Sequence, residues 1–113
     1  MTARWHTLTE GNTVTLCRQR PPRFDFAVHT VLPHGQPKRL AHQIRQDLWR
    51  ALQHLRGFTP VVKLEPNAAG WAITAGGRAM GQVPPATLER AAAVLNNPGN
   101  RARWMRHAGG ATR

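Results

Sequence analysis

Pro37-Lys38-Arg39-Leu40-Ala41-His42-Gln43-Ile44-Arg45-Gln46-Asp47-Leu48-Trp49-Arg50-Ala51-Leu52-Gln53-His54-Leu55-Arg56-Gly57 decides how the rest of this chain must fold. Leu40, Ile44, Leu48, Ala51, Leu52 and Leu55 recur at three- and four-residue intervals, which makes one apolar stripe on an α-helix. Proline is tolerated at the first helical position because its missing N–H would be unpaired there anyway. Gly57 stands where a left-handed cap is wanted. The spacing therefore predicts a helix over 37–56, roughly 30 Å long at 1.5 Å per residue. A stripe of that length needs a sheet or another helix to cover it.

The flanking sequence supplies strands. Upstream, Thr13-Val14-Thr15-Leu16-Cys17 alternates β-branched and apolar residues, and reads as a short strand. After the basic, proline-stiffened loop Arg18-Gln19-Arg20-Pro21-Pro22-Arg23, a second strand runs from Phe24 to Leu32. Phe24, Phe26, Val28, Thr30 and Leu32 would share one of its faces. Downstream, Phe58–Glu65 and Trp71–Ala75 are separated by the turn-rich Pro66-Asn67-Ala68-Ala69-Gly70 and predict a hairpin. Gly76-Gly77 suits a tight turn, which would make Arg78–Val83 a third strand of a meander. Pro84-Pro85 opens a second helix with Leu88, Ala91, Ala92 and Leu95 as its stripe, ending near Asn96-Asn97-Pro98.

The expected order is β-β-α-β-β-(β)-α, an α+β fold. An antiparallel sheet of four to five strands would carry the long helix and a shorter C-terminal helix on one face. At 113 residues and 41% hydrophobic, the chain is one domain with a core of its own. Residues 1–97 are expected to form that domain and 98–113 a basic C-terminal tail. The alternative for the tail is a short terminal helix whose Trp104 and Met105 cap the core.

Charge bounds the function. Sixteen Lys and Arg face five Asp and Glu, a formal net charge of +11. Fourteen of the sixteen cations are Arg; coding bias accounts for Arg over Lys but not for the shortage of acids. Five carboxylates cannot neutralise this field from inside, so an external polyanion is expected, with phosphate the commonest biological choice. The long helix carries +4 and residues 84–113 another +4, against +2 for 1–36 and +1 for 57–83.

The reading that follows is a small basic protein binding RNA or DNA mainly through the backbone. Lys38, Arg39, Arg45, Trp49, Arg50 and Arg56 would form its platform and Arg101, Arg103, Trp104 and Arg106 a second clamp. On a helical wheel Trp49 lies outside the apolar arc, among Lys38, His42, Arg45, Gln53 and Arg56, as a base-stacking and phosphate-neutralising surface requires. Lys38 and Arg39 occupy the first helical turn, where free backbone N–H groups favour an anion, and His34 is placed to approach it. About five neutralised phosphates would give a log–log salt slope of about −3.5 to −4.5. The competing reading is an interaction module in which the same surface docks on an acidic protein, or on a second copy, with the tryptophans as anchors.

Other chemistry has little to stand on. Cys17 is the lone cysteine, so neither a disulfide framework nor a Cys-rich zinc site is expected. No His-x-x-x-His occurs, and the five carboxylates are scattered along the sequence, so neither a metal nor a cofactor is expected. A metal-independent ribonuclease using His29 or His34 beside arginines is the remaining enzymatic alternative. Gly76-Gly77-Arg78-Ala79-Met80-Gly81 matches no phosphate-loop or dinucleotide pattern. The first thirty residues lack an apolar signal-type run, and no stretch reaches membrane-spanning length. A cytoplasmic protein without membrane contact is the default expectation.

Overall fold

The structure, a computed structural model, describes residues 5–109. In chain order the elements are β1 (His6–Glu10), β2 (Thr13–Cys17), β3 (Phe26–Leu32), α1 (Pro37–Leu52), β4 (Thr59–Asn67), β5 (Gly70–Arg78), α2 (Pro85–Asn96) and α3 (Pro98–Ala108). The strands form one sheet in the order β1-β2-β4-β5-β3, with every neighbouring pair antiparallel. The α+β class is therefore as expected, with one more strand at the start and one more helix at the end.

Register explains which face carries the helices. Leu16 pairs with Val62, and Val62 with Ala75, which in turn faces Val28. Paired residues point to the same side of a sheet, so this row and the row Leu64–Ile73–Thr30 form one surface. Leu40, Ala41, Ile44, Leu48 and Leu52 of α1 pack on it, together with Ala91 and Leu95 of α2 and Trp104, Met105 and Ala108 of α3. The alternation expected for Phe26–Leu32 is the one observed. The reverse face shows a polar row, Thr15–Lys63–Thr74–His29.

Five details depart from the sequence expectations. His6–Glu10 pairs with β2 across a two-residue Gly11-Asn12 turn, with Glu10 opposite Thr13. Its side chains carry almost no apolar signal, because it is an edge strand that gains its order from backbone pairing. The long helix stops at Leu52 rather than Arg56; two turns follow, with Leu55 N–H donating to Leu52 O and Phe58 N–H to Leu55 O. Leu55 still packs against the core, so its periodicity was genuine although its backbone is not helical.

Gly76-Gly77 is not a turn. Both residues lie inside β5, which runs on to Arg78, and Arg78–Val83 is consequently no strand. Gly77 has φ +148°, and a Cβ there would collide with the Thr59 carbonyl; one on Gly76 would strike Phe26 O. The two glycines let β3 and β4 close in on β5 from both sides.

Finally, residues 98–108 are a helix and not a tail, which is the alternative in which Trp104 and Met105 close the core. Asn97 caps it through its side chain, which accepts from Asn100 N–H. Trp104 is fully buried. In α2 the buried residues are Thr87, Ala91 and Leu95, whereas Leu88, expected in the stripe, is exposed. Residues 110–113 of the expected tail lie outside the described residues.

Candidate nucleic-acid interface

Helix α1 buries Leu40, Ile44, Leu48 and Leu52, and its remaining circumference divides into two sides. Lys38, His42, Arg45 and Trp49 follow one another at spacings of four, three and four, which places them on one side. Arg39, Gln43, Asp47 and Arg50 follow on the other, where α3 packs. The two sides have different electrostatics.

On the α3 side the charge is largely internal. The Asp47 carboxylate accepts from Trp104 Nε1 at 2.6 Å and from Arg103 Nη2 at 2.9 Å, with Arg50 Nη1 3.8 Å away. Arg101 donates to Thr30 Oγ1 at 2.8 Å, Leu95 O at 3.0 Å and Val31 O at 2.6 Å. Arg101 and Arg103 are thus engaged inside the fold, and Trp104, fully buried, presents no ring face to any ligand. Of the expected second clamp only Arg106 is exposed without a carboxylate partner.

The other side is an uncompensated cationic edge. Trp5, missed by sequence reasoning, immediately precedes β1, and Arg18 immediately follows β2, beside the terminal His6–Cys17 pair. The Arg45 guanidinium lies 4.7 Å from the Trp5 ring centroid and that of Arg18 5.8 Å from it. Two cations share one indole, an arrangement that cation–π attraction favours and mutual repulsion opposes. Burial and the like charge of Arg18 both depress the Arg45 pKa, and Arg45 Nε is buried without a hydrogen-bond partner among the described residues. Arg45 Nη2 approaches His42 Nδ1 at 3.5 Å. Burial, with Arg45 adding to it, holds the His42 pKa below its ordinary value.

One turn along the helix, Trp49 stacks on Phe58, centroids 6.1 Å apart and planes 9° from parallel. Phe58 is buried, and in turn tilts against Phe26 at 5.8 Å. Trp49 remains 41% exposed while the Phe58 ring lies nearly parallel beside it. The indole is braced on one side and partly open to solvent.

Ion pairs account for three of the five carboxylates: Asp25 with Arg23, Asp47 with Arg103 and Arg50, and Glu65 with Lys63. Among the described residues, Arg18, Arg20, Lys38, Arg39, Arg45, Arg56, Arg78, Arg90, Arg101 and Arg106 have no carboxylate within ion-pair distance. They do not all converge. Lys38 and Arg39 line a cavity of about 300 Å³ with His42, Gln43 and His107. Arg56 lies at the far end of α1 with His54 and Arg90, around a groove of about 260 Å³. His34, expected near the start of α1, does not line the first cavity, and the Lys38 N–H is already taken by Gln36 Oε1 at 2.9 Å. No group of three or more His, Cys, Asp or Glu among the described residues is arranged to hold a metal ion.

Arg45, Trp49 and Lys38 were legible as one helical side, but Trp5, Arg18 and Phe58 reach it only through the sheet. The signal for Trp5 and Arg18 was the Gly11-Asn12 turn, which closes the β1–β2 hairpin and so brings its two open ends together. Comparison with protein-family models, with curated proteins and with solved structures gives no match.

Proposed function

We propose that this protein binds nucleic acid through the phosphate backbone, along the edge of α1 that faces β1 and β2. Arg18, Lys38 and Arg45 supply the positive charge, His42 a ring that can gain a proton when an anion binds, and Trp49 an aromatic surface beside them. The observation that carries this reading is the pair of guanidiniums on Trp5, Arg45 at 4.7 Å and Arg18 at 5.8 Å, with no carboxylate paired to either. An anion bound by both offsets their mutual repulsion and accepts from guanidinium N–H groups. Phosphate suits planar guanidinium groups because each offers parallel donors. Arg101, Arg103 and Trp104 fall outside this interface, since they hold α3 in place.

The test is the salt dependence of binding to an oligonucleotide, followed by fluorescence anisotropy. Affinity should fall linearly on a log–log plot as phosphate contacts release counterions. The Arg18→Ala/Arg45→Ala double variant should bind more weakly and show a shallower slope. An unchanged affinity and slope would remove this edge from consideration. Protein prepared at low salt should also carry absorbance at 260 nm that a high-salt wash removes; a preparation free of nucleic acid that retains an acidic protein instead would favour the docking-module reading.

A further inference from the structure

The geometry points to single-stranded nucleic acid as the ligand of this edge, with an unpaired base stacked on Trp49 and the neighbouring phosphate held between Arg18 and Arg45. This inference rests on the backbone-binding reading and adds to it the class of strand. Trp49 and Arg45 are one helical turn apart, about 6 Å along the α1 axis, so an aromatic platform and a phosphate clamp stand side by side. That is the repeat of a nucleotide, one base and one phosphate. In a duplex the base faces are covered by their neighbours, and a flat aromatic surface has nothing to stack on. In a single strand every base has a free face, and stacking on an aromatic side chain tolerates any sequence.

Two features suit Trp49 to this task. Its inner face lies nearly parallel to the buried Phe58 ring, so the indole is already held in position and little side-chain freedom remains to be lost on binding. The side chain is also 41% exposed, although a tryptophan at the edge of so small a core could have been covered. Trp5 is placed differently: Arg45 and Arg18 lie against its ring, so Trp5 orients the clamp and Trp49 serves as the platform. Guanidinium groups lying on an indole keep their N–H edges directed outward, where phosphate oxygens accept.

Three probes of equal length separate the possibilities: an oligothymidylate, a strand of the same phosphates lacking all bases, and a duplex. The oligothymidylate should bind on the order of 10-fold tighter than the abasic strand and tighter than the duplex. In Trp49→Ala the preference for oligothymidylate over the abasic strand should shrink towards unity, with Trp49→Phe in between. Quenching of tryptophan fluorescence by oligothymidylate should be smaller in Trp49→Phe than in the parent. Circular dichroism should confirm that both variants remain folded, as expected for an exposed ring. Equal binding of oligothymidylate and abasic strand, or a duplex preferred over both, overturns the stacking inference and leaves the backbone reading standing. Failure of all three probes to bind overturns both.

Discussion

The indole Nε1–H of Trp104 donates to Asp47 Oδ2 at 2.6 Å, across 57 residues of chain and between α3 and α1. The same carboxylate takes Arg103 Nη2 at 2.9 Å, so one buried anion gathers an aromatic and a cation that in sequence look like parts of a nucleic-acid arm. Trp104 would otherwise carry an unpaired polar N–H into the core, and burying such a group without a partner is costly. Asp47 removes that cost and fastens the last helix to the first.

Loss of that anion is therefore expected to damage the fold rather than the interface. Asp47→Ala leaves the indole N–H without its acceptor and the half-buried Arg103 guanidinium without its carboxylate, with only Asn100 Oδ1 still accepting from it. It should cost about 3 kcal/mol or more, in line with breaking a buried charge pair from one side. Asp47→Asn should cost less, because its amide oxygen can still accept from the indole while only the charge is lost. Urea denaturation of the two variants measures this. An Asp47→Ala protein within about 0.5 kcal/mol of the parent would mean that α3 is held by apolar contact alone.

What the sequence disclosed, and what it concealed, follows from the range of the forces involved. The α1 stripe and the alternation in β3 are local periodicities, visible because burial acts on every third, fourth or second residue. Trp104 was ambiguous for a different reason. Arg101, Arg103 and Arg106 around it look alike in sequence, and only the tertiary partners Asp47, Thr30 and Val31 separate the two engaged arginines from the free one. His6–Glu10 was illegible because an edge strand needs no apolar residues once a neighbour supplies its hydrogen bonds. The Trp5–Arg18–Arg45 cluster depended in turn on that strand. The interface was half readable: its helical part came from period, its sheet part from register.

Gly76-Gly77 misled because glycine serves both turns and close backbone approach, and substitution distinguishes the two. Gly77→Ala would drive a Cβ into the Thr59 carbonyl at a φ of +148°, and should destabilise by several kcal/mol, on the order of 3 or more. Gly81 also has a positive φ, +75°, but open space around its Cβ position. Gly81→Ala should cost only the left-handed penalty, about 1 kcal/mol. Thermal melts rank the two, and equal losses would contradict the strand assignment.

The division between engaged and free arginines has its own consequence for binding. Replacing Arg18 and Arg45 by Ala should reduce the magnitude of the log–log salt slope by about 0.7, the value for the one phosphate contact of a single strand that the two share, while leaving the melting temperature nearly unchanged. Replacing Arg101 and Arg103 should do the reverse, because their donors serve Thr30, Leu95, Val31 and Asp47. That variant should melt earlier but keep the parent's slope under conditions where it is folded. The slopes and melts of both double variants are the measurement, and a slope loss confined to the Arg101/Arg103 variant would move the interface to α3.

His42 gives the interface a pH dependence whose sign is fixed by its surroundings. Burial is the larger cause and Arg45 the second, and both disfavour the imidazolium. Lys38 and Arg39 of α1 and His107 of α3 line the same cavity, and none of them supplies a negative charge. In the unfolded chain the ring titrates near 6.5. Below that value the unfolded state binds a proton that the folded state resists, so His42 subtracts stability as pH falls through and below about 6.5. A phosphate on the cationic edge acts in the opposite direction, favouring the imidazolium, so the complex takes up a proton that the free protein does not hold. Affinity for an oligonucleotide should accordingly rise on acidification from about pH 7.5 to about pH 5.5, over the same range in which the free protein loses stability. His42→Gln cannot titrate at this position and should weaken both trends together. Melting temperatures and anisotropy titrations at the two pH values test this; pH profiles unchanged in His42→Gln would show that this ring does not feel the bound phosphate.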